Sequence, residues 1–456
     1  MNNPDDLPPT IVAPLLDLAQ QLWTHARTQR DQPLASHEQA VLAAWRAAAP
    51  AVRGAVVTAA TTGLAPGQRP VSASCPTCHT RRPVQSRRTR QVQTRLGPVA
   101  LERPWHHCAG CGHGWSPADQ ALRLVSGQRT SAGLRAWAAQ VGAITTFREA
   151  ARLLSDLAGV ELGAETVRSQ AEQVGSALEL AQRATSAYVQ QHHAPPPEQH
   201  DPAPGTLVVE ADGVMVRYRE RAPSEAWHEV KLGLVAGWQD DELLAPSYVA
   251  AREPARRCAE RLVGEAARRG ALDVVGWRGA ALDGGGHAAI LRQVVILGDG
   301  AKWIWDEVAA SFGRERLEIV DWYHASEHLS TLSTALFGEG TPTAAAWLDA
   351  AQHRLWRHGP APLLQLLQQA TAPTPAAARL LQRERGYFTT NALRMQYPAF
   401  RQQGLPCGSG AIERGAKHLV QLRLKQAGQR WSRPGAQAIL ALRAHLLSDR
   451  PLPLAA

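Results

Sequence analysis

Residues 206–220 read TLVVEADGVMVRYRE, and residues 227–238 read WHEVKLGLVAGW. Both runs are rich in β-branched residues and read as neighbouring strands. Downstream, VVILGDG (294–300) and LEIVDWYH (317–324) each read as a short buried strand. Each is followed by a helical pattern, WIWDEVAASF (303–312) and SEHLSTLSTALF (326–337). Short apolar strands of this kind need cover on both faces, so the region predicts a mixed α/β core. The glycine-rich GGGH (284–287) lies between them.

Outward from this core the texture changes on both sides. Upstream, QQHHAPPPEQHDPAPG (190–205) breaks every periodic pattern and reads as a domain boundary. Downstream, 330–395 is helical without strand signals, and Gly408 to Leu447 reads as a glycine-serine turn opening a long basic helix interrupted around Gly428. The front of the chain is helical over IVAPLLDLAQQLW (11–23) and EQAVLAAWRAAAPAV (38–52), and TTGLAPGQRPVSAS (61–74) reads as a linker. Between 147 and 175, FREAARLLSDLAGVELGAETVRSQAEQVG reads as helix, turn, helix: a helix-turn-helix unit or an ordinary helical hairpin.

Four cysteines fall in two tight pairs, Cys75-Pro-Thr-Cys78 and Cys108-Ala-Gly-Cys111. Two such turns joined by a hairpin supply four thiolates for one closed, structural Zn2+ site. The intervening VQTRLGPVALERPW alternates with period two around Gly97-Pro98, which predicts a hairpin turning there. His106, His107 and His113 stand near enough to replace one thiolate. Arg81, Arg82, Arg87, Arg88, Arg90, Arg95 and Arg103 accompany only Glu102 here, which suits phosphate contact or a plain solvated surface. Cys258 and Cys407 read as core residues.

Whole-chain properties narrow the class. The 456 residues exceed one ordinary core, and 49 basic against 40 acidic residues leave a net charge of +9. Lysine occurs only at Lys231, Lys302, Lys417 and Lys425, so the excess is arginine, whose planar fork suits phosphate but whose abundance beside alanine also fits mutational bias. No secretory signal or membrane-length apolar run is visible, and the cysteine usage points to a reducing, cytoplasmic setting.

Three acids stand where a strand ends or a turn begins: Asp212 in VVEADG, Asp299 in VVILGDG and Glu413 in GSGAIE. Carboxylates converging at one sheet edge can hold two divalent cations, and hard oxygen ligands select Mg2+ or Mn2+. Asp321 also follows a buried strand and is the rival of Asp299 for the second metal ligand. After Glu413 come Arg414, Lys417, Arg423, Lys425, Arg430 and Arg433 with no intervening acid, a set suited to DNA phosphates. Trp303, Trp305, Trp322 and Trp431 either stack on unpaired bases or pack internally.

The segments EADGVMV, WHEVKLG, LGDGAKWIW, DWYHASEHL, YFTTNALRMQY, GLPCGSGAIERGAKHLVQLRLKQAG and RWSRPGAQAILALR, in this order, resemble bacterial insertion-sequence transposases of the Mutator-like DDE superfamily, in particular the ISKra subgroup. The resemblance runs over about residues 75 to 447. It implies an RNase H-like core (206–330 and 404–448) interrupted by an all-helical insertion (331–403), to which the residue patterns themselves add a helical region (1–60), a zinc ribbon (72–118) and a helix-turn-helix-like DNA-binding region (125–190). It further implies that Asp212, Asp299 and Glu413 are the catalytic carboxylates holding two Mg2+ or Mn2+, with Asp321 and His324 of DWYH as accessory residues, and DNA end cleavage and strand transfer at the nucleoid as the reaction. Double-stranded DNA and at least a second copy of the chain are the expected partners. A stand-alone nuclease of the same fold and a non-catalytic zinc-containing DNA-binding regulator are the alternatives.

Overall fold

The structure, a computed structural model, describes residues 9–62, 72–192, 196, 199, 201–220, 222–271, 294–313 and 316–452. The GGGH stretch and part of the proline-rich boundary segment lie outside the described residues. The protein is mixed α/β and divides into two compact units, Met1–Ala171 with Leu452–Ala456, and Glu172–Pro451. The division falls upstream of the proline-rich segment, inside a long helix.

The first unit begins with helices α1 (Pro9–Thr28) and α2 (Leu34–Thr62), packed on each other. Strands β1 (Ala73–Ser74) and β2 (Arg81–Arg82) pair with each other, and β3 (Ser86–Thr94), β4 (Gly97–His107) and β5 (Gly114–Trp115) form an antiparallel three-stranded sheet. The hairpin does not turn at Gly97-Pro98. Thr94 pairs with Gly97, so Arg95 and Leu96 form the turn, and Thr94 Oγ1 donates to the Gly97 carbonyl at 2.7 Å. Gly97 sits at φ +97°, a region open to a residue without Cβ, and opens the returning strand. Val92, Val99 and Leu101 bury the inward stripe of this sheet.

After α3 (Pro117–Ala121) come α4 (Ala132–Ile144), α5 (Phe147–Ala158) and α6 (Ala164–His192). The Thr146 hydroxyl caps α5 by accepting from Glu149 N at 3.2 Å, and Gly159 ends it at φ +65°. Ala138, Ala150, Leu154 and Val167 share one apolar cluster, so the helix-turn-helix pattern of 147–175 has its own small core in the first unit.

The second unit is built on β6 (Thr206–Arg217), β7 (Trp227–Gln239), β8 (Glu242–Ala251), β9 (Val294–Gly298) and β10 (Leu317–Val320). The sheet order is β10-β9-β6-β7-β8: the first three strands form an antiparallel meander, and β9 and β10 add parallel to β6. Val230 to Gly237 of β7 is buried without interruption, as a strand covered on both faces must be. Helix α7 (Ala255–Arg268) covers one face, with Leu262 packed against Gly233. The opposite face, bearing Leu232 and Tyr248, meets α13 (Gly410–Gly415) at Gly415.

Between β10 and α13 the described chain is helical: α8 (Trp322–Phe337), α9 (Pro342–His358), α10 (Pro360–Gln369), α11 (Pro375–Thr390) and α12 (Tyr397–Gln402). Short polar caps and N-terminal prolines start these helices, as Thr341 and Thr374 do by accepting from Ala344 N and Ala377 N at 3.1 Å. Their apolar faces join the core that lies beneath the sheet.

Two further sequence-based expectations change. Residues 303–312 do not form a regular α-helix: Ile304–Val308 is a wide π turn and Ala309–Phe312 a tight 3-10 turn, which bury Ile304, Trp305, Val308 and Phe312. The carboxyl-terminal basic segment breaks at Gly428, as expected, but its part before the break is not one regular helix. A π stretch, Ala416–Gln421, and α14 (Leu422–Leu424) follow α13; the chain then turns with Gly428 at φ +75° before α15 (Arg433–Leu447).

Candidate metal centres

In the first unit the two cysteine turns have the same backbone build. His79 N donates to Cys75 O at 2.9 Å and Gly112 N to Cys108 O at 2.8 Å, while Cys75 N and Cys108 N reach Thr80 O and His113 O, each at 2.9 Å. His79 and Gly112 both take positive φ, 60° and 71°, which closes each turn around its thiols. The four Sγ atoms lie within 4.8 Å of one another, with Cys75–Cys111 at 3.6 Å and Cys78–Cys108 at 3.5 Å. A tetrahedral Zn2+ with Zn–S near ~2.3 Å needs sulfurs about 3.8 Å apart, so this cluster could hold zinc with little adjustment.

The amide of Cys111 and then the Arg82 guanidinium hold the Cys108 thiol down to about 6, while burial and the hydrogen bonds to Cys75, Cys108 and Cys78 push Cys111 up, so the four sulfurs share their protons unequally. His106 does not compete as a ligand: it is buried, stacks on Trp115 at 5.3 Å, and directs Nδ1 at the carbonyls of Arg82 and Pro83 at 3.1 Å each.

In the second unit, parallel register lines up three aspartates. Glu210 pairs with Leu297, and Asp212 and Asp299 each lie two residues further on. Val320 pairs with Gly298, and Asp321 and Asp299 are the next residues. The three therefore stand at one level across β10, β9 and β6, on strands spaced about 4.8 Å apart. In register, Asp212 is opposite Leu232, and so on the α13 face of the sheet.

Glu413 on α13 completes the group. Burial raises the carboxyl of Asp212 above its ordinary range, and the charges of Asp299 and Glu413 push the same way. The tightest trio of ligand atoms is Asp321, His324 and Glu413, all within 4.8 Å; Asp212, Asp299 and Glu413 do not draw that close to one another. Like charges repel, and two of the three are turned onto nearby amides: Asp212 Oδ1 accepts from Gly213 N at 2.6 Å, and Asp299 Oδ1 from Ala301 N at 2.8 Å.

Asp321 differs from the other acids. It is fully buried and caps α8, accepting from Tyr323 N at 2.5 Å, and its second oxygen accepts from Ser409 N at 2.9 Å and from the Ser409 hydroxyl. Both oxygens are thus engaged by the protein, whereas Glu413 is exposed. His324, one turn into α8, lies 3.6 Å from Asp321 Oδ2, an ion-pair rather than a hydrogen-bond separation. That partner first, with Asp299 and Glu327 beyond, raises the imidazole to about 9.

Sequence reasoning missed Glu210, two residues before Asp212 on the same face. It is 1% exposed, accepts from Ile412 N at 2.7 Å, and is pushed up to about 8, first by burial. A glutamate inside an otherwise apolar strand, VVEADG, was the available signal.

The basic residues after Glu413 separate into two kinds. Arg414, Lys417, Lys425 and Arg430 are exposed. Arg423 is not available to DNA: it is 1% exposed, lies against the Trp431 ring at 4.9 Å, and burial lowers it to about 10. The tryptophans pack internally as well, Trp305 and Trp431 buried and Trp322 on Trp356 at 4.6 Å. Among the described residues no helix is long and apolar enough to cross a membrane. No protein-family model and no curated protein matches this chain.

Proposed function

We propose that this protein is a Mutator-like DDE transposase: its second unit an RNase H-like core that cuts DNA at element ends and joins the freed ends to target DNA. The observation that carries the reading is the alignment of Asp212 and Asp299 on neighbouring parallel strands, with Glu413 within electrostatic reach of Asp212. The sheet order, a three-stranded antiparallel meander followed by two parallel strands, supports an RNase H-like core, and the helical block before Glu413 supports an insertion there.

The donor set is one of hard carboxylate oxygens, which suits Mg2+ or Mn2+ better than zinc. Divalent ions held by Asp212, Asp299 and Glu413 would supply activation of the attacking oxygen and charge neutralisation at the leaving one. Asp212 lies within β6, which runs on to Arg217, and not at the strand end expected of it; its release from the Gly213 amide, and that of Asp299 from the Ala301 amide, is a side-chain movement. His324, cationic at neutral pH by its raised value, is placed to hold a proton or a phosphate oxygen beside them. Arg414, Lys417, Lys425 and Arg430 would track the backbone phosphates.

In the first unit the four-cysteine cluster would form a zinc ribbon, and the arginine-bearing hairpin with α5 and α6 would recognise the ends. Handling two DNA ends calls for at least two copies of the chain. The test is cleavage of a duplex carrying the element's terminal sequence with Mg2+ or Mn2+. Asp212→Ala should abolish cutting and strand transfer by more than ~100-fold while end binding persists. A variant that still cuts overturns the site; a wild type that cuts but never joins pre-cut ends is a nuclease instead.

A further inference from the structure

The Asp299 turn is held from outside the sheet. Tyr387, on α11 of the helical block, directs its hydroxyl to the Asp299 carbonyl at 3.2 Å. Its ring lies over the next residue, Gly300, where an added Cβ would come within 2.8 Å of the ring and 3.0 Å of its hydroxyl. Gly300 takes φ +95°, so both its conformation and its lack of a side chain let the ring reach the turn.

The tyrosine is itself fixed. Its ring stacks on His328 of α8, centroids 3.9 Å apart and planes 9° apart. His328 Nδ1 meets the Glu384 carboxylate at 2.5 Å, and Glu384, 1% exposed, is also paired with Arg383 at 2.8 Å. Glu384 and Tyr387 are one turn apart on α11 and together grip His328, one turn beyond His324 on α8. Burial, then the nearby charges of Asp299, Glu384 and Asp321, push the phenol well above its ordinary value, so it remains a donor.

We infer that Tyr387 is a positioning residue: with His328 and Glu384 it braces the Asp299 turn, so that the helical block governs how this aspartate is presented to a divalent cation. The cation step rests on the carboxylate reading above; the brace does not.

Two readouts on the full-length protein decide it. Tyr387→Phe keeps the ring, its stacking and its volume but removes the hydroxyl. Hydrogen exchange should quicken in a peptide covering Asp299 to Trp303, including the Ala301 amide that Asp299 holds, with β6 and β7 unchanged. Mn2+ affinity, read from the electron paramagnetic resonance of free ion, should fall roughly three- to tenfold, the scale of one lost hydrogen bond. His328→Ala, which removes the stacking partner, should reproduce both effects. Unchanged exchange at the turn in both variants, or quickening spread evenly over the second unit, overturns the brace. Quickened exchange with unchanged Mn2+ affinity overturns its role in presenting Asp299. A wild type that binds no Mn2+ overturns the carboxylate reading, and the exchange comparison still decides the brace.

Discussion

Ser409 donates both its backbone N–H and its hydroxyl to the same oxygen of Asp321, 88 residues earlier in the chain. This joins the start of α8 to the residue before α13, and so sets where Glu413 stands relative to the strand ends. Ser409→Ala leaves the buried carboxylate one donor short and should cost about 1–3 kcal/mol; Asp321→Ala removes the cap as well and should cost more. Denaturant unfolding followed by tryptophan fluorescence measures both. Equal stability of Ser409→Ala and wild type would show that the hydroxyl contact carries no weight.

His324 owes its raised value first to Asp321. A raised imidazole contributes stability that is fully present below the ordinary value near 6.5 and is lost as pH rises through about 9. Ring-proton NMR should therefore find His324 still cationic at pH 7.5. Asp321→Asn should lower its midpoint markedly; a midpoint near 6.5 in the unaltered protein contradicts the pairing.

Glu210 is raised to about 8 by burial, so its sign is that of an acid kept protonated. The stability tied to its neutral form is intact below the ordinary value of 4.5 and declines as pH climbs through about 8. Glu210→Gln keeps an oxygen for the Ile412 amide and removes the titration. The variant should match wild type near pH 4.5 and exceed it by a few kcal/mol at most at pH 8.5, at about 1.4 kcal/mol per pH unit. Urea midpoints across that range decide, and parallel curves would count against it.

Zinc occupancy follows from the four converging thiols. Purified protein should carry about one Zn2+ per chain by elemental analysis, and Cys75→Ser or Cys108→Ser should lose it, with earlier proteolysis in the first unit. Because zinc takes up thiolates, protons compete for the four sulfurs and retention should weaken as pH falls. Full retention in both serine variants would refute the assignment.

Exposed and buried cations should separate on DNA. Lys417→Ala and Arg430→Ala should each weaken binding and lower the salt slope by about 1. Arg423→Ala should leave that slope unchanged and instead destabilise the second unit by ~2–4 kcal/mol, because a large buried side chain is lost from against Trp431. Salt titrations of duplex binding distinguish the two classes; a lowered slope for Arg423→Ala would put its guanidinium on phosphate.

The sequence by itself determined much that is local. Runs of β-branched residues marked β6, β7, β9 and β10, and two CxxC pairs named the four thiols. These signals act within a few residues, where propensity, capping and spacing operate. Tertiary structure alone decided the rest. Parallel register put Asp212, Asp299 and Asp321 at one level, and pairing over 88 residues turned Asp321 from a free acid into a cap held by Ser409. Arg423 became a core residue and Glu210 a buried acid because exposure depends on what packs above a side chain, not on its identity. Whether Asp321 remains open to a cation is likewise settled by its hydrogen bonds from Ser409, 88 residues on, which no local pattern encodes.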